Sequence, residues 1–159
     1  MMKRLRKEKN SKAGFTLLES VIGIALVAIA VLGLAEMFTL SVLNNMRSDR
    51  ITSASFLVQQ QVDTLRNLTA AELSLVASSA AVDLNNDGTN DLFRDELIDL
   101  NRDNLNDYRR ITDVQTYGTA WQVQVLVFTA EAFSADEAEL ISNPQAHRVR
   151  ARVSTIIHR

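Results

Sequence analysis

The stretch Ala13-Gly14-Phe15-Thr16-Leu17-Leu18-Glu19-Ser20, followed by the apolar run Val21 to Ala35, decides how this chain is read. Ahead of it lies a basic tail, Met1 to Lys12. One carboxylate, Glu19, sits just inside the start of the apolar stretch. A charged side chain at depth in a bilayer costs ~2.5–3.5 kcal/mol on insertion scales, so such a residue usually has a partner. No basic residue occurs between Lys12 and Arg47, so the span itself supplies none. The partner is expected on another molecule.

Two ordinary readings compete. A secretory signal also joins a basic region to an apolar one. Here, however, no small-x-small site with a break follows promptly, and the helical pattern runs on past Leu43. A plain signal anchor fits the length, since about 20 apolar residues cross a bilayer. It leaves Glu19 without a purpose.

Gly14-Phe15-Thr16-Leu17-Leu18-Glu19, preceded by Lys/Arg residues and followed by an apolar helix, resembles the class III signal of type IV prepilins and type II secretion pseudopilins. The likeness extends in kind from Lys12 to about Leu68. It implies that a membrane-embedded prepilin peptidase cuts between Gly14 and Phe15 and methylates the new amine of Phe15. It implies that Glu19 pairs with the N-terminal amine of a neighbouring subunit during assembly. The implied fold is α+β and pilin-like, a long N-terminal helix packed on a small antiparallel sheet. The implied segments are a cleaved cytoplasmic leader, 1–14, a membrane and filament-core half-helix, 15–43, and a globular domain, 44–159. The implied function is that of a minor subunit of a type IV pilus. Its partners would be the peptidase, other pilin helices and, before assembly, the inner membrane, which it crosses once with its N-terminus cytoplasmic. After assembly it would lie in the periplasm or in a surface filament. A minor pseudopilin of a type II secretion system and a tip adhesin or DNA-uptake module are the alternatives.

Charge agrees with that orientation. The leader carries six basic residues against Glu8, a net of +5, so the total of −2 less +5 leaves −7 on the rest. Positive segments stay cytoplasmic. An acidic product is a poor generic ligand for nucleic acid, so no such partner is expected. There is no cysteine, so no loop is closed by a disulfide. Packing or a metal must hold the loops instead.

Phe15 to about Leu68 reads as one helix, apolar all round in its first half and amphipathic in its second. At about 54 residues it would be ~80 Å long, more than any bilayer needs. A break near Asn44-Asn45 would make it two helices. The related proteins often have a proline kink where Glu36 stands here, and Gly33 is a substitute point of softness. Ala70 to Val76 reads as a short helix leading into a loop. Arg109 to Thr116 and Ala120 to Thr129 read as strands about a Tyr117-Gly118-Thr119 turn. Trp121, Val123, Val125 and Val127 alternate with Gln122, Gln124 and Leu126, the period of a half-buried strand. Glu131 to Ala146 reads as an acidic loop with a helical turn at Ala135 to Leu140. Arg148 to Ile157 reads as a last strand with Arg148, Arg150 and Arg152 on a solvated face.

No catalytic constellation is visible, and an enzyme is not expected. His147 and His158 lack metal-ligand spacing, and Gly118 stands alone rather than in a phosphate-cradling loop. The segment Asp83-Leu84-Asn85-Asn86-Asp87-Gly88-Thr89-Asn90-Asp91 does carry a signal. Oxygen-bearing residues recur at alternate positions, and Gly88 falls where a calcium loop turns sharply. Asp83, Asn85, Asp87, the Thr89 carbonyl and Asp91 are the candidate Ca2+ ligands. Asp99 to Asp107 repeats the spacing, with Asn104 in the place of the glycine. The twelfth place, usually a bidentate glutamate, is Arg94 in one and Arg110 in the other, which leaves Asp95 or Glu96 as substitutes. The competing reading is a solvated run of turns, since Asp, Asn and Gly are turn formers.

Overall fold

The computed structural model describes residues 15–159. The expected leader, with Gly14, lies outside the described residues. Contacts divide the chain into two units, Met1–Asn45 and Met46–Arg159. Helix α1, Leu17–Asn67, begins in the first and continues into the second. It runs through Asn44 and Asn45 without a break, so the two-helix alternative is not adopted.

In the first unit every described side chain is exposed. Composition explains the helix: Ala, Leu, Val and Ile dominate and no proline intervenes. The helix is long and apolar enough to cross a membrane.

The second unit is built on the last turns of α1. Ala54, Leu57, Val58, Gln61, Val62 and Leu65 are buried there. Their three-and-four spacing is one face of a helix. A short helix α2, Ala70–Ser78, follows and buries Leu73 and Val76. It runs two residues beyond the expected end. Then come six strands: β1 Ala81–Val82, β2 Leu92–Phe93, β3 Asp95–Ile98, β4 Tyr108–Tyr117, β5 Ala120–Thr129 and β6 Ala151–His158. Strands β3, β4, β5 and β6 form one antiparallel sheet in chain order, while β1 pairs only with β2. A 3-10 turn, Ala130–Ala132, and helix α3, Glu137–Ser142, lie between β5 and β6. The architecture is α+β and pilin-like.

One sheet face meets α1 and α2. Tyr108, Val114, Trp121, Val123, Val125, Val127 and Ile157 join the buried helix residues in a single core. The β4–β5 hairpin closes through Gly118 and Thr119, with Tyr117 opposite Ala120. Gly118 has φ +64°, a left-handed position that glycine takes without penalty.

The sheet corrects the sequence reading in three places. Strand β5 is not half-buried throughout. Leu126 and Phe128, on its other face, are fully buried in a second core with Ile111, Ala132 and Leu140. The 3-10 turn and α3 supply that cover, so alternation fails where both faces are packed. Second, the last strand begins at Ala151, not Arg148. Arg148 lies in a turn with φ +53° and pairs with Glu131 at 3.1 Å, so only Arg152 of the three arginines is in the strand. Third, β1, β2 and β3 lie in what reads as an Asp/Asn-rich loop. They are short and flanked by turn formers, so period-two patterning had little length in which to show.

Candidate functional site

Two places carry chemistry, the start of α1 and a pair of acidic hairpin loops. Phe15 and Thr16 precede the helix. The Thr16 hydroxyl accepts the backbone N–H of Glu19 at 3.3 Å, and its carbonyl accepts that of Ser20 at 3.1 Å. This is one half of a capping box, for which Thr16-x-x-Glu19 is the sequence signature.

The complete version stands later in the same chain. At α2 the Thr69 hydroxyl accepts the Glu72 N–H, and the Glu72 carboxylate accepts the Thr69 N–H at 2.6 Å. Both Thr69 groups hold the Glu72 carboxyl below its ordinary pKa. No such return bond is made by Glu19: among the described residues its carboxylate has no hydrogen bond and no ion pair. Thr16 is a helix-starting residue that the sequence reading missed, although its signature was legible.

The two loops are alike in detail. The first, 83–91, joins β1 to β2, where Val82 faces Leu92. The second, 99–107, joins β3 to β4, where Ile98 faces Tyr108. In the first, Asp83 accepts the N–H groups of Asn86 (2.7 Å) and Gly88 (2.9 Å). Asn85 accepts that of Asp87, Asp87 that of Thr89, and Asp91 that of Leu84. Shifted by 16 residues, Asp99 accepts the N–H groups of Arg102 (2.6 Å) and Asn104 (2.8 Å). Asn101 accepts that of Asp103, Asp103 that of Leu105, and Asp107 that of Leu100. The left-handed positions correspond too. Asn86 and Arg102 both have φ +60°, and Gly88 (+90°) matches Asn104 (+67°).

These bonds explain why the aspartates sit at alternate positions. Each carboxylate satisfies backbone N–H groups that the turn would otherwise leave unpaired. Bonds from the Thr89 hydroxyl and amide hold the Asp87 carboxyl below its ordinary pKa. Among the described residues no three His, Cys, Asp or Glu side chains are gathered as a metal site. The two acids named as substitutes for the twelfth-place ligand are engaged elsewhere. Asp95 grips Arg109 with both oxygens, at 2.8 and 2.6 Å, and Glu96 pairs with Arg110. Arg94 and Arg110, in the twelfth places, are ion-pair donors, Arg94 to Asp113 and Glu137. His147 pairs with Glu139 at 3.1 Å and His158 is exposed.

The arrangement at the start of α1 is a helix-capping threonine, an unengaged acid and an exposed apolar helix behind a basic tail. The family described as the prokaryotic N-terminal methylation motif matches residues 9–35. The chain carries a type IV prepilin-like class III signal. Such a motif supports a type IV pilin- or pseudopilin-like protein, and it implies processing by a prepilin peptidase and pilin-type assembly. The prepilin motif and the apolar helix fit anchoring in the inner membrane before assembly. Proteins of this kind are typically structural rather than enzymatic. Comparison with curated proteins and with solved structures gives no match.

Proposed function

We propose that this chain is a minor subunit of a type IV pilus. Prepilin peptidase cuts after Gly14, Phe15 is methylated, and Glu19 then recruits the free amine of a neighbour. The observation that carries the reading is the carboxylate of Glu19. It is the fifth residue after the cut, at the head of an exposed apolar helix, and it is not used to complete its own helix cap. An acid without a local role in an apolar environment is best balanced by a cation from outside. Burial of the apolar helix among others then holds the assembly, at roughly 25 cal/mol per Å².

The test has two arms. Mass spectrometry of the mature protein is expected to begin at a methylated Phe15, and a start at Met1, or after Ala28 or Ala30, overturns the processing. Glu19→Val is expected to remain in the inner membrane while disappearing from sheared surface filaments. Normal incorporation of that variant removes the role of Glu19. Recovery of the chain only with a secretin-linked export machine, and never in surface filaments, would favour the pseudopilin.

Calcium belongs to the same proposal. Asp83, Asn85, Asp87 and Asp91, with the Thr89 carbonyl, are the oxygens a cation would take in the first loop. Their alternate spacing and the left-handed turn at Gly88 support the reading. An ionised carboxylate has about four lone-pair sites, so these side chains can keep their backbone N–H partners while holding the ion.

A further inference from the structure

We infer that Glu36 makes a second charged contact in the assembled filament, taking a lysine or arginine side chain from the helix of an adjacent subunit. The inference rests on the filament reading above. Glu36 is the only charged residue between Glu19 and Arg47. Its neighbours one turn away along α1 are Leu32, Gly33, Thr39 and Leu40, none of them cationic. The Thr39 hydroxyl is already given to the Ala35 carbonyl at 3.0 Å. No ion pair among the described residues includes Glu36. Among the described residues the acid is therefore unpaired.

Its depth tells when that becomes costly. Glu36 lies 19 residues beyond Leu17 in the same helix, ~29 Å at 1.5 Å per residue. The hydrocarbon core of a bilayer is ~30 Å thick. With Leu17 at one boundary, Glu36 reaches the other, where water solvates it. Before assembly the acid is tolerated. On extraction into a bundle of apolar helices that water is lost, and a buried charge with no partner is strongly unfavourable. Glu19 is served by an amine at the end of a chain. Glu36, mid-helix, faces only side chains of its neighbours, so its partner is a cationic side chain.

The experiment uses the full-length chain in its source organism, comparing the amount in sheared filaments with that in the membrane fraction. Glu36→Gln keeps the size and removes the charge. It is expected to lower incorporation at least about tenfold, as loss of one member of a buried charge pair does, with membrane levels unchanged. Glu36→Asp is expected to fall between. Glu36→Lys is expected to be excluded, and selection for its return should yield a Lys or Arg changed to Asp or Glu in another subunit's helix. Wild-type incorporation of Glu36→Gln overturns the contact, as do suppressors confined to other kinds of site. Glu19→Val, run alongside, separates the two claims. If it is excluded while Glu36→Gln enters normally, only the Glu36 contact fails. If both enter normally, the reading beneath it fails as well.

Discussion

Arg109 ties edge strand β3 to the 3-10 turn that covers one face of the sheet. The residue is only 7% exposed. It forks onto Asp95 and also donates to the carbonyls of Ala132 (2.8 Å), Phe133 (3.3 Å) and Ala135 (2.7 Å). Asp95 raises the pKa of the guanidinium, so the charge is secure. Removing one member of a buried pair leaves the other stranded, which costs ~3–5 kcal/mol. Arg109→Met is expected to lower the stability of the Met46–Arg159 unit by about 3 kcal/mol, the low end because Asp95 is partly exposed. Urea denaturation measures this. Arg109→Lys is expected to recover little, since an ammonium lacks the planar fork. Two exposed acids act on stability through protons. Glu72 and Asp87 are held below their ordinary pKa by Thr69 and Thr89 respectively. The unfolded chain then binds the proton first, so the stabilisation is complete above the ordinary carboxylate value, about 4, and fades as pH falls through the lowered one. The melting temperature is expected to drop below about pH 4. Glu72→Gln combined with Asp87→Asn is expected to make that drop shallower, and an unchanged slope would remove these two acids from the account.

At the scale of elements, the hairpin loops bear the calcium question. The Met46–Arg159 unit, free of the apolar first unit, is the object to melt. Binding to the folded state alone stabilises by ~2.7 kcal/mol at 100 times the dissociation constant. A rise in melting temperature with millimolar calcium, reversed by chelator and lost in Asp87→Ala, is the expected result. A melt indifferent to calcium leaves the aspartates with the hydrogen-bonding work already described. Sequence spacing located both loops and their sharp turns, because Gly88 and Asn104 stand at positive φ there, whereas Arg102, also at positive φ, gave no such signal. It did not show what the carboxylates hold, because an Asx turn and a calcium loop ask for the same residues. The long elements were legible for a different reason. Strand β5 was found at its true ends, Ala120–Thr129, since ten residues give period-two patterning room to show. Strand β3 has four residues and mixed burial, and its place at the sheet edge follows from pairing with β4 rather than from its own composition.

For the whole molecule, the first unit was the easier to read. Its motif is contiguous in the chain, with Gly14 to Glu19 standing together, so it is legible without any folding. The second unit is defined by pairings far apart in sequence. Ile111 and Leu140 share a core because α3 returns over the sheet, and no local pattern announces that return. The tandem loops add something of another kind. Two nine-residue segments with matching hydrogen bonds and left-handed positions each close an antiparallel strand pair in a single chain. They are interchangeable parts. A loop transplanted from one ribbon to the other, between Val82/Leu92 and Ile98/Tyr108, is expected to keep its turn, since its own side chains hold it. The chain thus carries its own spare, and one loop is free to acquire a new surface while its twin preserves the template.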